Sequence, residues 1–417
     1  MLSTMATDGQ KPPGGGGFAQ ATATAMSRLR LALGELIAAI PQPINKAADL
    51  HRALGVDPKL GWQVFKVVNA VNTVGAGVNV PKRVSMQRLL KAAAGRGVPA
   101  HVIDHTSAAF DEFENLVTEH AGDRASFESM VSAVGDRDDS ARIDLNHRRA
   151  AFRSNSHIWG VQATARLACF IYQPSPSDPG QQDHAGIRGF VGLRRLRREG
   201  SWVVAQTRMT DGDGTVIEAP NREPLDPSAE VDHGVSLLEK FCSQPLPRFR
   251  AVPGKLGYDN IELVGESVGN ESATTCMIGD VWRNVFGYYR DERNRHQVSY
   301  APVRTPCKVL IHDVLVREGM YGSSIPEVLI YGDHRGVDPH PEGRDCDLLA
   351  MHASVRHLGK GPLVVHTPEV PRYTEMLEYA FDRLGWEGEK FDVYRCRVEY
   401  PVMPSSVVVR FELPEKP

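Results

Sequence analysis

The stretch NKAADLHRALGVDPKLGWQVFKVV, Asn45 to Val68, predicts two short helices joined by a tight turn. Apolar and small residues recur at helical spacing in its first half, up to Leu54. Gly55 can adopt the left-handed backbone conformation that a residue with a Cβ atom resists, so we expect the turn there. Asp57 is a favourable N-cap, and Pro58 suits the first position of a second helix because its missing N–H would be unbonded in any case.

This pair of predicted helices resembles the helix-turn-helix motif of DNA-binding regulators. The resemblance rests on the Leu54-Gly55-Val56 turn and on the apolar positions around it, and it covers about 24 of the 417 residues. Leu60, Val64 and Val67 recur at helical spacing and would pack the second helix on the first. The resemblance implies that the second helix enters the major groove of double-stranded DNA.

The outward face of the second helix and its surroundings supply the candidate DNA contacts. Basic and amide side chains suit phosphates and base edges. Two of the candidates follow a Gly-bearing loop, VNTVGAGVNVPKRVS, that could hold a short wing. The candidates are Lys59, Gln63 and Lys66 on the second helix, Arg52 on the first, and Lys82 and Arg83 after the loop.

Two positions depart from the helix-turn-helix pattern. Three residues before the Leu of the turn the motif usually has a small residue, because the helices cross there, and this chain has His51. Five residues after Val56 it usually has a branched apolar residue, and this chain has Gly61. The helices must therefore cross differently from the usual motif, or the pair is an ordinary packing hairpin.

Charge is distributed unevenly along the first third of the chain. Residues 26–100 carry 11 Lys and Arg against 3 Asp and Glu, a balance of +8, whereas residues 101–136 carry 1 Arg against 8 acidic residues, a balance of −7. A basic block that coincides with a helix-turn-helix candidate is typical of a surface that faces phosphates. The alternative is a solvated helical face.

Periodicity and composition divide the chain into four regions. Residues 1–25 are rich in Gly, Pro, Ala and Thr without an apolar period, which predicts a disordered leader. Residues 26–136 read as an all-helical domain that contains the helix-turn-helix-like unit. The polar stretch GDRDDS opens a linker and connecting helix at 137–156. Residues 157–417 read as a β-rich domain of one or two subdomains.

Strand patterns dominate the region after residue 156. IWGVQATARLACFIYQ, Ile158 to Gln173, begins a series of β-branched and aromatic runs. Only a few helices intervene, among them Val235–Cys242 and Tyr373–Leu384, the latter closed by Gly385. Runs of strands with few helices favour a mixed or antiparallel sheet, so the fold class expected of the whole chain is α+β.

Candidate sites in the β-rich domain have weak signatures. One segment between Gly332 and His352 gathers potential ligands for a divalent metal, although its spacing matches no zinc template and a polar surface loop explains it equally well. Its metal candidates are His334, His340, Cys346 and His352. TDGDGTV resembles half of a calcium loop but lacks the closing Glu, which favours an Asp-Gly hairpin turn. The five arginines of GIRGFVGLRRLRREG could place Arg194 and Arg198 on a basic strand edge for an anion or nucleic acid, or simply solubilise it.

These patterns indicate a cytoplasmic DNA-binding regulator whose C-terminal domain binds an effector or self-associates. Six widely spaced cysteines favour reduced thiols, and no apolar run is long enough to span a membrane. No signal peptide is expected, and no motif predicts a cofactor or a catalytic site. Two alternatives remain open: an enzyme or metal-binding protein with its site in the C-terminal domain, and a structural protein that forms a homo-oligomer.

Overall fold

A computed structural model of the chain describes most of its residues. They are residues 15–134, 137–198, 202–206, 209–210, 216–217, 222–228, 231–232, 235–253, 259–265, 267–292, 295–322, 325–332, 347–351 and 353–417. These residues divide into two compact units, and the chain passes from one to the other between Asp144 and Leu145. We call residues up to 144 unit 1 and residues from 145 unit 2.

Within the described residues, unit 1 is helical and unit 2 is built mainly of strands. The helices are α1 (Gly15–Ala38), α2 (Ala47–Leu54), α3 (Pro58–Val68), α4 (Arg83–Ala94), α5 (Ala100–His120), α6 (Arg124–Val134), α7 (Arg137–Trp159) and α8 (Tyr373–Leu384). Short 3-10 helices lie at Gly75–Asn79, Glu239–Phe241, Gly269–Ser272, Pro362–Val365 and Gly388–Lys390. This separation of helices from strands confirms the expected α+β class.

The first helix begins earlier than the sequence indicates. Residues 15–25, expected to belong to a disordered leader, form the first turns of α1, and Phe18, Thr22 and Ala25 are buried. Phe18 and Ala25 join the same core cluster as α5. Small side chains let two helices approach closely, but they contribute little to an apolar period. A composition rich in Gly, Ala and Thr therefore suggested disorder where the structure has a helix.

The region 137–156, predicted as a linker and connecting helix, is helical over its whole length. Residues 137–159 are one helix, α7, and the division between the units falls inside it. In unit 2 the helix expected at Val235–Cys242 is wrong, because Val235–Ser236 is a short strand followed by the 3-10 helix Glu239–Phe241. The helix expected at Tyr373–Leu384 is confirmed, and Gly385 ends it with φ of 67°.

The strands of unit 2 form one large mixed sheet and several smaller antiparallel ones. They are β1 (Val161–Pro174), β2 (Gln181–Arg195), β3 (Trp202–Gln206), β4 (Met209–Thr210), β5 (Val216–Ile217), β6 (Arg222–Pro224), β7 (Val231–Asp232), β8 (Val235–Ser236), β9 (Arg248–Pro253), β10 (Asp259–Val264), β11 (Thr274–Gly287), β12 (His296–Val303), β13 (Cys307–Arg317), β14 (Glu327–Gly332), β15 (Val355–Lys360), β16 (Phe391–Glu399) and β17 (Ser405–Glu412).

The large sheet has the order β15-β16-β13-β1-β2-β11-β6. Its β1 and β13 pair in parallel, and the other neighbours are antiparallel. Two three-stranded sheets, β3-β10-β9 and β12-β17-β14, and the hairpins β4-β5 and β7-β8 complete the described strands. The pairing of β4 with β5 confirms the hairpin expected around TDGDGTV.

The two faces of the large sheet are covered by different elements. Leu167, Ile171 and Ile311 share a core with Leu377 and the rest of α8. On the opposite face, the residues adjacent to these in sequence, such as Ala168, Tyr172 and Leu310, pack on β12, β17 and β14. Because side chains alternate along a strand, β1 contributes to both layers, and its apolar run from Leu167 to Tyr172 follows from this double burial.

Candidate nucleic-acid interface

The turn between α2 and α3 has the backbone geometry that the sequence predicts. Gly55 adopts φ of 68°, and its N–H donates to the carbonyl of His51 at 2.9 Å. Asp57 is the N-cap of α3, and its Oδ1 accepts from the backbone N of Lys59 at 2.8 Å. Leu60, Val64 and Val67 are buried in the core of unit 1. A residue with a Cβ at position 55 would be strained in this left-handed conformation.

The two departures from the motif lie against each other. An ideal Cβ built on Gly61 would lie 2.8 Å from the Cβ of His51, 3.1 Å from its backbone N and 3.2 Å from the carbonyl oxygen of Ala47. The helices therefore cross at this pair. The small residue that a close crossing requires is present, but it is on the second helix instead of the first.

Neighbouring polar groups hold both helices in place. The Oδ2 of Asp49 accepts from the backbone N–H groups of Asn45 and Lys46, which satisfies donors at the start of α2. At the other end of the motif, Nε of Arg30 on α1 donates to the carbonyl of Val68 at 2.8 Å. The C-terminus of α3 is thus tied to α1, and the motif is part of the core of unit 1.

The predicted contacts on α3 share one side of the helix and differ in exposure. Lys59 and Lys66 are exposed, and Gln63 is partly buried. Trp62, which sequence reasoning did not select, is 39% exposed, and its ring lies 5.8 Å from the Nζ of Lys66. The sequence shows a Trp close to two lysines, but whether its ring is exposed depends on how α2 and α3 cross. Burying this ring against a ligand would be favourable.

The other predicted contacts are arranged differently. Arg52 is exposed, with its Nη1 3.8 Å from Asp49. Lys82 is exposed at the start of α4. Arg83 pairs with acidic side chains of α5: its Nη1 lies 2.7 Å from Asp111 Oδ1, and its Nε lies 3.7 Å from a Glu114 oxygen. Lys82 thus remains available to a phosphate, whereas Arg83 already has carboxylate partners.

The loop before Lys82 does not form a wing. Residues 75–79 are a 3-10 helix in which Gly75, Ala76 and Gly77 are buried, and no strand occurs between residues 69 and 82, all of which are described. A Cβ on Gly77 would lie 2.9 Å from the ring of Phe127. The glycines permit close packing of this loop on α6, and this explains their presence better than a wing does.

An acidic groove of unit 1 lies on helices other than α2 and α3. A groove of about 840 Å³ follows α1 and α5, and Asp111, Glu112 and Glu119 are among its lining residues. These carboxylates would repel phosphates. The groove is therefore not part of the candidate interface.

The metal candidates of unit 2 lie outside the described residues. This applies to His334, His340, Cys346 and His352. Within the described part of the chain, no group of three or more His, Cys, Asp or Glu side chains could hold a metal ion.

A buried polar cluster of unit 2 has a structural explanation. Asp313 on β13 accepts from Nε of Arg395 at 2.8 Å, from its Nη2 at 2.7 Å, and from the hydroxyl of Tyr373 at 2.9 Å. The same Nη2 donates to the carbonyl of Val365. Burial raises the pKa of Asp313, while Arg395 and Tyr373 act in the opposite direction. The ion pair joins β13, β16 and α8 and uses its polar groups internally.

Comparison with known proteins gives no family for the chain. No family model and no curated protein matches the sequence. A solved structure described as a "putative protease" from Parabacteroides distasonis aligns with a TM-score of 0.27 and 8% identity over 61% of this chain. The alignment spans 41% of that protein, less than half of its length. A likeness this weak carries no argument about fold or function. Among the described helices, none has the length and apolar character that a membrane span requires.

Proposed function

We propose that unit 1 binds double-stranded DNA through α3 and that the chain is a transcriptional regulator. The observation that carries the proposal is the α2–Gly55–α3 geometry, which leaves Lys59, Trp62 and Lys66 exposed on a helix held by the core. A helix presented in this way can enter the major groove, where lysines meet phosphates or guanine edges and Gln63 meets adenine.

Charge distribution supports the same surface. Lys59, Lys66 and Lys82 have no described acidic partner within ion-pair distance, and the pairs that do form in unit 1 include Arg83 with Asp111 and Arg28 with Glu112. Lysines without such partners can exchange their counterions for DNA phosphates at no loss of an existing contact. Of the predicted contacts, these three lysines are therefore the strongest phosphate ligands.

The test is a fluorescence anisotropy titration of the full chain with mixed-sequence duplex DNA at several salt concentrations. We expect log affinity to fall linearly with log salt. The double variant Lys59→Ala/Lys66→Ala removes two phosphate ligands, so its salt slope should be smaller by about 1.8, from roughly 0.9 per contact. Its affinity at low salt should also fall.

The control is Lys308→Ala/Lys416→Ala, which removes the same charge from exposed positions of unit 2. It should bind DNA like the unmodified chain. Equal losses in the two double variants would mean that net charge, and not α3, determines binding. Absence of any salt-dependent binding by the unmodified chain would refute the proposed function.

Unit 2, in this proposal, binds an effector or self-associates. Regulators with one recognition helix per chain usually dimerise, so that two helices reach half-sites about one DNA turn apart. The five described cysteines are free thiols, which suits a cytoplasmic protein. Size-exclusion chromatography with light scattering tests self-association, and a monomer at all concentrations, with and without DNA, would remove this part of the proposal.

A further inference from the structure

One face of the central strands in unit 2 combines three arginines with one carboxylate. Arg188 on β2 and Arg222 on β6 bind Asp280 on β11, and Arg166 on β1 lies near Arg188. Strand register places them together, because Arg188 pairs with Ala168 of β1, which is two residues from Arg166, and with Ile278 of β11, which is two residues from Asp280. Directly paired residues and those two positions along a strand share one face.

Two of the three arginines neutralise Asp280 and saturate its oxygens. Arg188 Nη2 donates to Oδ2 at 2.7 Å, and Arg222 donates to Oδ1 from Nε at 3.0 Å and from Nη2 at 2.8 Å. Asp280 is fully buried. The group thus carries more positive than negative charge. Both oxygens of its one carboxylate, Asp280, already accept hydrogen bonds.

Arg166 is the one arginine of the three that forms no hydrogen bond with Asp280. Its Nε is inaccessible to solvent and has no hydrogen-bond partner, and no acidic side chain of the described residues lies within ion-pair distance of its guanidinium. Its guanidinium lies over the ring of Phe190, 5.3 Å from the centroid. Burial, together with the nearby charges of Arg188 and Arg304, lowers the pKa of Arg166 to about 10, so it remains cationic at neutral pH.

Aromatic and imidazole rings line the same face. His184 stacks between Tyr172 and Trp282 at centroid distances of 4.7 and 4.9 Å. Phe170 packs against His184 and also against His312, at 5.4 and 5.6 Å. These rings follow from the strand register, since His184 pairs with Tyr172 and Trp282, and His312 pairs with Ala168.

Polar atoms of two of these rings, His312 and Trp282, have no hydrogen-bond partner. His312 is fully buried and neither ring nitrogen is hydrogen-bonded, and the indole N–H of Trp282 has no acceptor. Burial, followed by the charge of Arg166, lowers the pKa of His312 to about 3, which keeps the ring neutral. A neutral imidazole still has one N–H to donate. The face therefore offers a cation and more unpaired N–H donors than unpaired acceptors, since the second nitrogen of His312 is its only acceptor among these atoms.

Leaving buried polar and charged groups unpaired reduces stability unless a ligand completes them. Natural chains accept such losses mainly where function requires them. We propose that this group, the arginine–histidine cluster (Arg166, Arg188, Arg222, Asp280, His184 and His312), binds a small anionic molecule through a carboxylate or phosphate group that pairs with Arg166. The inference rests on the effector role proposed for unit 2 and gives the effector a chemical class.

Arg166 suits this role because a guanidinium presents parallel N–H donors to the two oxygens of a carboxylate or phosphate. Arg188 and Arg222 then set the local field while their own hydrogen bonds hold Asp280. An oxyanion at Arg166 would relieve the repulsion among the arginines and supply the acceptors that the cluster lacks.

The experiment measures thermal unfolding of the full chain, without DNA, in sodium phosphate or sodium succinate against sodium chloride at equal ionic strength. We expect a saturable increase in Tm with phosphate, with succinate or with both. Phosphate alone would identify the phosphate class, and succinate alone the carboxylate class. No increase beyond that in chloride with either anion would overturn the proposal.

Substitutions separate binding from a structural role. Arg166→Gln should abolish the anion-dependent shift, since a lost charged hydrogen bond weakens binding about tenfold or more. Its Tm without ligand should be equal to or above that of the unmodified chain, because an unpaired buried charge is removed. Arg166→Lys should retain a smaller shift, since it keeps the charge without the planar fork.

The matched control is Arg356→Gln, which removes an exposed arginine of β15. It should retain the full anion-dependent shift. Equal loss of the shift in Arg356→Gln and Arg166→Gln would overturn the assignment to the cluster, and so would a lower Tm of ligand-free Arg166→Gln. Because DNA is absent, failure here would leave DNA binding by unit 1 untouched, and failure of DNA binding would not affect these measurements.

Discussion

Replacing Gly61 by alanine probes the helix crossing of unit 1. The added Cβ would lie 2.8 Å from the Cβ of His51, with His51 N at 3.1 Å and the Ala47 carbonyl oxygen at 3.2 Å. Carbon atoms pack best at about 3.5–4.0 Å, so α2 and α3 would have to separate by several tenths of an ångström. Two of the three contacts are backbone atoms, and the third is a Cβ, so no change of rotamer relieves them.

The expected magnitude combines two opposing effects. Overpacking of this kind costs about 1–3 kcal/mol. Alanine in a helix interior is better than glycine by about 1 kcal/mol. The free energy of unfolding of unit 1 should therefore fall by about 0–2 kcal/mol in Gly61→Ala.

Gly34, in the interior of α1, provides the matched control because nothing lies within 4 Å of its ideal Cβ. Gly34→Ala should stabilise unit 1 by up to about 1 kcal/mol. The propensity term is common to both variants, so the difference between them, about 1–3 kcal/mol, reports the crossing.

The assay is urea unfolding of the full chain followed by circular dichroism at the helix band, which reports mainly on unit 1 because α1 to α6 lie there. Hydrogen exchange of peptides across residues 45–68 localises the effect. If Gly61→Ala stabilised the protein as much as Gly34→Ala, the helices would not cross closely at His51 and the reasoning would be refuted.

Two further predictions concern unit 2. The pKa of His312 is about 3 in the folded protein, against an ordinary value of 6.5. Between these two pH values His312 is protonated in the unfolded chain but neutral in the folded one. The free energy of unfolding therefore falls as pH drops from about 6.5 towards 3. His312→Phe should reduce this slope by up to about 1.4 kcal/mol per pH unit and stabilise the protein at neutral pH, as urea unfolding at several pH values would show; an unchanged slope would contradict it. Asp313→Ala should cost about 3–5 kcal/mol because it leaves Arg395 buried without its carboxylate. Tyr373→Phe should cost only about 1 kcal/mol, and equal losses in these two variants would argue against the assigned pairing.

Local chemistry explains why α3 and α8 could be predicted. Asp57 and Pro58 define the start of α3, and Gly385 ends α8 in the left-handed conformation. Capping depends on residues within one turn, so the sequence contains the information needed. The start of α1 at Gly15 could not be found this way, because its Ala- and Thr-rich turns are buried by α5, about 90 residues further along the chain.

The candidate interface was partly predictable for the same reason. The spacing of Lys59, Gln63 and Lys66 follows from helical periodicity, and the structure places all three on α3. Arg83 is not a free cation, because it forms ion pairs with Asp111 and Glu114 of α5, which lie about 30 residues away in sequence. Likewise, the compatibility of His51 with a helix crossing becomes evident only when Gly61 is seen against it.

By itself the sequence determined the α+β class, the Gly55 turn and the faces of the amphipathic helices, because these depend on local conformation and periodicity. Only the tertiary structure decided which charges are paired. Arg188 and Arg166 both lie in strand-forming segments, yet one binds Asp280 and the other has no carboxylate partner among the described residues. Strand order sets that difference, since it brings β1, β2 and β11 side by side, and a one-residue change of register would move each of these side chains to the opposite face.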